Sequence, residues 1–296
     1  LTSELRLVRS SLAVMEGPNP KSSAGHLDEV VLRDGGFNGD QVSNARRRGD
    51  VVLRESGPWT SSVHALLRYL HDVGFTKCPQ VLGTGFSDDG RETLSFVPGD
   101  SVNPGPWSDE AISSIGTVLA ELHRVSKSFS PSGNAIWRPC LSRDLPGGHQ
   151  TFGHGDLGPW NVVVNEGSAS FVDWDFSGPV ASRWELAETT WLNCQLHDDD
   201  LAESCGLPSP DQRARQVRYM LEAYGLSKRD RTDFVDDMIS FAVHSARWES
   251  KLFDIVPSST SAVTDSGFPV MWAITWRVRS ASWMITNRSL LMGAIL

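Results

Sequence analysis

Three side chains, Asp156, Asn161 and Asp173, have the types and the spacing that chemistry on a phosphate requires. Asp156 lies in the stretch GHGDLGPWNVVV, with Asn161 five residues later and a run of valines behind it. Downstream, FVDWDF carries Asp173 and Asp175. The intervening NVVVNEGSASFVDWDF reads as a hairpin turned at Glu166, Gly167 and Ser168. A hairpin of this length returns its two ends to one point, so the three groups converge although seventeen residues separate the two carboxylates. Phosphoryl transfer uses such a set: one carboxylate to accept a hydroxyl proton, and an amide with a second carboxylate as hard oxygen ligands for Mg²⁺.

Each residue alone has a plainer reading, because Asp and Asn are ordinary turn formers. Spacing and order together favour the chemical one. His154 is as consistent with a structural histidine as with a chemical one, and Asp175 reads as a cap of the turn that follows rather than a metal ligand.

The 296-residue chain is long enough for a sizeable core in one large domain or two lobes. A net charge of −9 opposes a nucleic-acid-binding face. The basic cluster Arg46 to Arg48 reads as a solvated hairpin turn. The four cysteines lack metal-ligand spacing, which fits a reduced cytoplasm, and no uninterrupted apolar run is long enough for a membrane span. No G-x-S-x-G elbow supports a serine hydrolase. Most of the eleven tryptophans are expected in the core or a pocket wall.

The elements that must position the trio follow from periodicity. Short runs around 30–33, 41–45 and 51–54 suggest a β-meander, and PQVLGTGF and GRETLSFVPG add two strands. Between these groups, Val63, Leu66, Leu67, Leu70 and Val73 recur at helical spacing behind a cap at Thr60 or Ser61. A helix capped by Ser108 carries the stripe Ile112, Ile115, Val118, Leu119 and Leu122. Further helices are expected at 182–196, 210–224, 228–250 and 268–292. Residues 1–24 are expected to form an N-terminal extension outside the fold, disordered in whole or part.

HGDLGPWNVV followed by FVDWDFSGP resembles the aminoglycoside phosphotransferase family, whose fold is related to that of protein kinases. The resemblance runs from about Leu27 onward. It implies an α+β, protein-kinase-like two-lobed fold: a small antiparallel-sheet N-lobe with one helix over 25–99, and a mainly helical C-lobe over 100–296. It implies an ATP-dependent (or GTP-dependent) phosphotransferase with Mg²⁺, acting on a hydroxyl of a small molecule, such as an aminoglycoside or another amino or sugar compound. Asp156 would be the catalytic base, Asn161 and Asp173 the metal ligands, and His154 a support of the loop. Backbone groups of the linker at Ser95 and Val97 would meet the adenine, and the turn containing Gly35, Gly36 and Gly39 would approach the phosphates. Neither nucleic acid, membrane nor an obligatory protein partner is expected, and the location expected is cytoplasmic.

The chain departs from that pattern in its first lobe. Arg54 stands where the family has a lysine, and the helix after it contains no Glu. His64 lies near the place of the missing acid and reads as a flanking residue. The glycine turn is not G-x-G-x-x-G. These departures motivate an alternative, a kinase-like nucleotide- or ligand-binding protein with weak or no catalysis. On the acceptor side the acids Glu185, Glu188, Asp198 to Asp200, Glu203, Asp236, Asp237 and Glu249 are available, most of them expected at the surface. Trp160 and Trp191 read equally as pocket wall or core.

Overall fold

The computed structural model describes residues 29–32, 45–102, 105–145, 147–148, 151–252 and 270–296. The expected N-terminal extension, and the turn with Gly35, Gly36 and Gly39, lie outside them.

Five antiparallel strands form the first sheet: β1 (Val30–Val31), β2 (Arg46–Arg48), β3 (Val51–Arg54), β4 (Val81–Phe86) and β5 (Glu92–Ser95), in the order β1-β2-β3-β5-β4. The arginine cluster is therefore strand, and the turn is Gly49 and Asp50 behind it. Long basic side chains suit this half-buried strand because their stems cover apolar surface. The Arg47 guanidinium stacks 3.5 Å from the Phe96 ring centroid, and Arg48 pairs with Glu29. Helix α1 (Thr60–Asp72) buries Val63, Leu66, Leu67 and Leu70 as the spacing predicts, whereas Val73 is exposed at its C-terminal end and its N-cap is Trp59, with no side-chain cap from Thr60 or Ser61.

The rest of the chain is mainly helical. In α2 (Asp109–Ser126) the Ser108 side chain accepts from the Ala111 amide, and the expected apolar stripe is buried. After α3 (Leu141–Asp144) come four short strands: β6 (Thr151–Gly153), β7 (Val162–Asn165), β8 (Ser168–Phe171) and β9 (Gly178–Val180). β7 and β8 form the hairpin, with Asn165 opposite Ser168, so its turn is Glu166 and Gly167 and Ser168 already belongs to the strand. β6 pairs with β9 across the hairpin's base.

Then follow α4 (Ser182–Asn193), α5 (Asp199–Ser204), α6 (Pro210–Tyr224), α7 (Phe234–Leu252), α8 (Val270–Thr286) and α9 (Arg288–Ile295). Ser209 and Gln212 form a capping box on α6, and Gly225 ends it. The expected helix at 228–250 begins only at Phe234, because Ser227 closes on Asp230 and Arg231 reaches back to the Leu226 carbonyl. The helix expected over 268–292 is two helices, interrupted at Asn287, whose side chain donates to the Trp283 carbonyl. Of the acidic run after His197, Asp199 and Asp200 lie at the surface as expected, but the run opens a helix: Asp198 caps α5, and Asp198 and Asp200 pair with Arg279 of α8.

A continuous apolar cluster joins the halves, from Leu66 and Leu94 through Ile115 and Leu119 to Met220, Phe241 and Trp276. Trp191 belongs to it, stacked 5.2 Å from Trp276. Gly116 lets α2 approach α6 so closely that a Cβ there would lie 2.5 Å from the Met220 carbonyl oxygen. The segment joining the halves is tied to the hairpin by reciprocal backbone hydrogen bonds between Asp100 and Val164, of 3.0 and 2.9 Å. No described helix is long and apolar enough to cross a membrane.

Candidate active site

The pairing of Gly153 with Gly178 brings the chain before the hairpin alongside the chain after it. The Val172 amide donates to the Asn161 carbonyl at 2.9 Å, closing the hairpin's open end. Asp156, Asn161 and Asp173 therefore stand around one point, as their spacing predicts.

Beneath Asp156 the loop is fixed by buried groups. His154, fully buried, donates from Nε2 to the Val172 carbonyl at 2.7 Å and packs on Trp174, which makes it structural support. Gly155 has φ +80°, and a Cβ there would lie 2.2 Å from the Phe176 carbonyl oxygen. Its amide donates at 2.6 Å to the wholly buried Glu185, whose other oxygen meets His123 Nε2 at 2.5 Å. His123 Nδ1 in turn meets the Tyr224 hydroxyl at 2.8 Å. Burial works to raise the Glu185 carboxyl, but the bonds from His123 and Gly155 outweigh it and hold the group below its ordinary range. Glu185 is thus a brace of the loop rather than an acceptor-pocket acid.

The Asn161 amide nitrogen donates to the backbone carbonyl of Asp156 at 2.8 Å and to its Oδ2 at 2.9 Å. Trp160 Nε1 lies 3.4 Å from the same Oδ2, which leaves Oδ1 as the oxygen not engaged by these donors. Burial, with the nearby Asp173 charge acting in the same sense, pushes the Asp156 carboxyl above the usual range. Asp173 sits at φ +60°, ψ +71°, a left-handed conformation unfavourable for a residue with a Cβ. Strain of this kind persists where the surrounding structure enforces it, and it concentrates at functional sites.

Arg54, on β3, donates from Nη2 to Asp173 Oδ1 at 2.8 Å and lies 2.9 Å from Asp175 Oδ2. Its Nε is 3.8 Å from Oε2 of Glu92 on β5. Burial opposes the guanidinium charge, and the three carboxylates outweigh it, so the group is held above its ordinary value. Asp175 does not merely cap a turn: it faces Arg54 and, at 3.6 Å, Arg138. His64 is no flanking residue either, being buried with Nε2 2.9 Å from Glu92 Oε1.

Arg54, Asn161, Asp173 and Asp175 border a cleft of about 560 Å³ between the sheet and the helical half, lined also by Ser95, Phe96, Val97 and Trp160 among others. A volume in the range of several hundred Å³ is that of small-molecule and nucleotide sites. The Ser95 amide is engaged by the Gln80 carbonyl at 2.8 Å. Gly35, Gly36 and Gly39 lie outside the described residues.

Asn161 and Asp173 fit a Mg²⁺ site in number and kind of donor. Among the described residues no three His, Cys, Asp or Glu side chains are grouped to enclose an ion. Mg²⁺ is commonly held by one or two protein oxygens, with water and phosphate completing its shell.

Of the expected acids, Glu188 and Glu249 feel the charge of Asp156, which Arg277 of α8 also faces. Arg277 pairs with Glu249 at 2.7 Å. Burial first, then the charges of Asp156 and Glu185, push the Glu188 carboxyl well above its ordinary value. Asp236 and Asp237 instead pair with Arg288 and Arg183. Arg277 was not legible as a site residue, since in sequence it only interrupts an apolar run.

No family model matches the chain. The trifolitoxin immunity protein of Rhizobium leguminosarum bv. trifolii is 47% identical to it over 269 residues, 90% of this chain and 99% of that protein. The chain belongs to the trifolitoxin immunity protein family. The fold of this family member is shared with solved small-molecule kinases at low identity. An amicoumacin kinase, solved with AMP-PNP and Ca²⁺, aligns over 86% of this chain and 88% of its own, with a TM-score of 0.57 and 12% identity. A choline/ethanolamine kinase family protein from Mesorhizobium loti covers 90% and 92% at TM-score 0.54 and 16% identity. A microcompartment-associated aminopropanol kinase covers 90% and 94% at 0.54 and 14%. The immunity-protein family member therefore has the α+β, protein-kinase-like fold of these small-molecule kinases.

Proposed function

We propose that the protein is an ATP-dependent (or GTP-dependent) phosphotransferase that moves a γ-phosphoryl group to a hydroxyl of a small molecule. One observation carries this reading: the Asp156 carboxylate is fixed by Asn161 and Trp160, with one oxygen unengaged by them, and these two residues themselves line a cleft together with Arg54 and Asp173. The nucleotide lies along Ser95 and Val97, with Arg54 toward its phosphates. Asn161 and Asp173 hold Mg²⁺, which supplies charge neutralisation on the phosphates. Asp156 orients the acceptor hydroxyl and takes its proton, and the raised carboxyl makes it a better base at neutral pH than an exposed aspartate. Burial of the Asp156 surroundings limits competing attack by water.

On the acceptor side Arg277 stands among the acids and, paired with Glu249 at 2.7 Å, offsets part of their negative charge. An acceptor of low net charge fits better than a polycationic aminoglycoside. The name of the 47% identical relative goes with a toxin as that acceptor, disarmed by phosphorylation. All four cysteines are free thiols, which goes with a cytoplasmic location where ATP is supplied.

The test is Mg²⁺-dependent ADP release against a panel of hydroxyl compounds that includes trifolitoxin. Asp156→Asn is expected to keep its fold and its nucleotide affinity while losing roughly 10²- to 10⁴-fold in turnover. Turnover at the wild-type rate in that variant sinks the assignment. A second reading, nucleotide binding without catalysis, draws on the contact between Arg54 and Asp173. Nucleotide binding with no ADP release for any acceptor would favour it.

A further inference from the structure

Helix α1 carries no Glu, yet Arg54 does have a buried carboxylate at its inner end. Glu92 lies directly opposite Arg54 in the β3–β5 register and is 2% exposed. Its Oε1 is bonded to His64 Nε2 at 2.9 Å, and its Oε2, 3.8 Å from Arg54 Nε, is buried without a hydrogen-bond partner. Burying a carboxylate with one oxygen unsatisfied is costly unless a charge nearby offsets it. Arg54 is the cation that faces it.

The place prepared for His64 supports the same conclusion. Its ring lies 5.0 Å from that of Phe86, and at Gly85, where φ is +93°, a Cβ would come within 2.5 Å of His64 Nδ1. The backbone of β4 thus bends around an imidazole on α1, and that imidazole grips a strand acid.

We propose that Glu92, held by His64, is the positioning carboxylate for Arg54, so that α1 acts on the phosphate-binding arginine through His64 and a strand glutamate instead of through an acid of its own. This rests on reading the cleft as a nucleotide site. The division of labour on the guanidinium follows from the distances. Nη2 points to Asp173 and Asp175, the end where phosphates and a cation would lie, whereas Nε is directed at Glu92. When Nη2 turns to phosphate, Glu92 retains the other end of the fork and keeps its plane oriented.

The experiment is a double-mutant cycle on the full chain with Glu92→Gln, Arg54→Met and the pair, reading the dissociation constant of Mg–AMP-PNP and the separate kcat and KM for ATP. Glu92→Gln is expected to weaken binding and raise KM roughly tenfold with kcat less affected, and to cost less than about twofold in the Arg54→Met background. A merely structural Glu92 predicts the same factor in both backgrounds, and that result overturns the proposal, as does unchanged binding. Should Glu92→Gln fail to fold by circular dichroism, His64→Gln replaces it in the same cycle with the same two outcomes. Wild-type protein that does not bind Mg–AMP-PNP would overturn the nucleotide reading itself. Wild-type binding without coupling would overturn the role of Glu92 alone.

Discussion

At the scale of single residues, Glu185 governs how firmly the Asp156 loop is held. A buried carboxylate bonded to a backbone amide and an imidazole interacts most strongly in its charged form. Its folded pKa lies below the ordinary value of 4.5, so its contribution to stability is fully present at neutral pH. That contribution is lost as the pH falls below the ordinary value and through the folded one. Glu185→Gln is expected to be destabilised by about 3 kcal/mol near neutral pH, and to lose less further stability than wild type on acidification. Urea unfolding of both proteins between about pH 7 and pH 3 measures this; parallel pH dependences would show that Glu185 is not the acid-sensitive brace.

Among the elements, the contact of α2 with α6 depends on an absent side chain. Gly116→Val would drive a branched side chain against the Met220 carbonyl and the Ala223 methyl, neither of which can yield without moving α6. A loss of about 3 kcal/mol is expected, read as a lower unfolding midpoint with an unchanged denaturant slope. A midpoint within experimental error of wild type would mean the helices separate freely. Elements that announce themselves locally were legible: α2 and α6 through Ser108, Ser209 with Gln212, and Gly225, and the hairpin through its two apolar runs. Elements fixed by distant partners were not. Three consecutive arginines show no strand alternation, and β2 forms because Leu53, Val52 and Val51 of β3 pair with it. The helix α5 was not expected, and the cation that meets its first turn, Arg279, lies on α8. The division of the site follows the same line. Asp156, Asn161 and Asp173 are neighbours along one hairpin, while Glu92 meets Arg54 only through sheet register. Its one local signal was alternation, which puts it on the same face of β5 as buried Leu94.

For the molecule as a whole, the pair formed by Arg54 and Asp173 is a tie across the cleft, joining residues 119 apart in sequence and connecting the sheet to the helical half. Asp173 Oδ1 serves the guanidinium, and the same carboxylate is the one proposed to hold a divalent ion. Two cations thus compete for one ligand. Removing the guanidinium should free the site, so Arg54→Met is expected to bind Mn²⁺ alone several-fold more tightly than wild type, as followed by the loss of the free-ion paramagnetic resonance signal. Equal affinities would show that no such competition exists. A nucleotide that draws Arg54 onto its phosphates would release Asp173 for the ion, and linkage requires the ion to favour the nucleotide by the same factor. On the proposed reading, the arginine in the lysine's place would make the cleft a coincidence detector, answering more strongly to the ion and the phosphates together than to either alone.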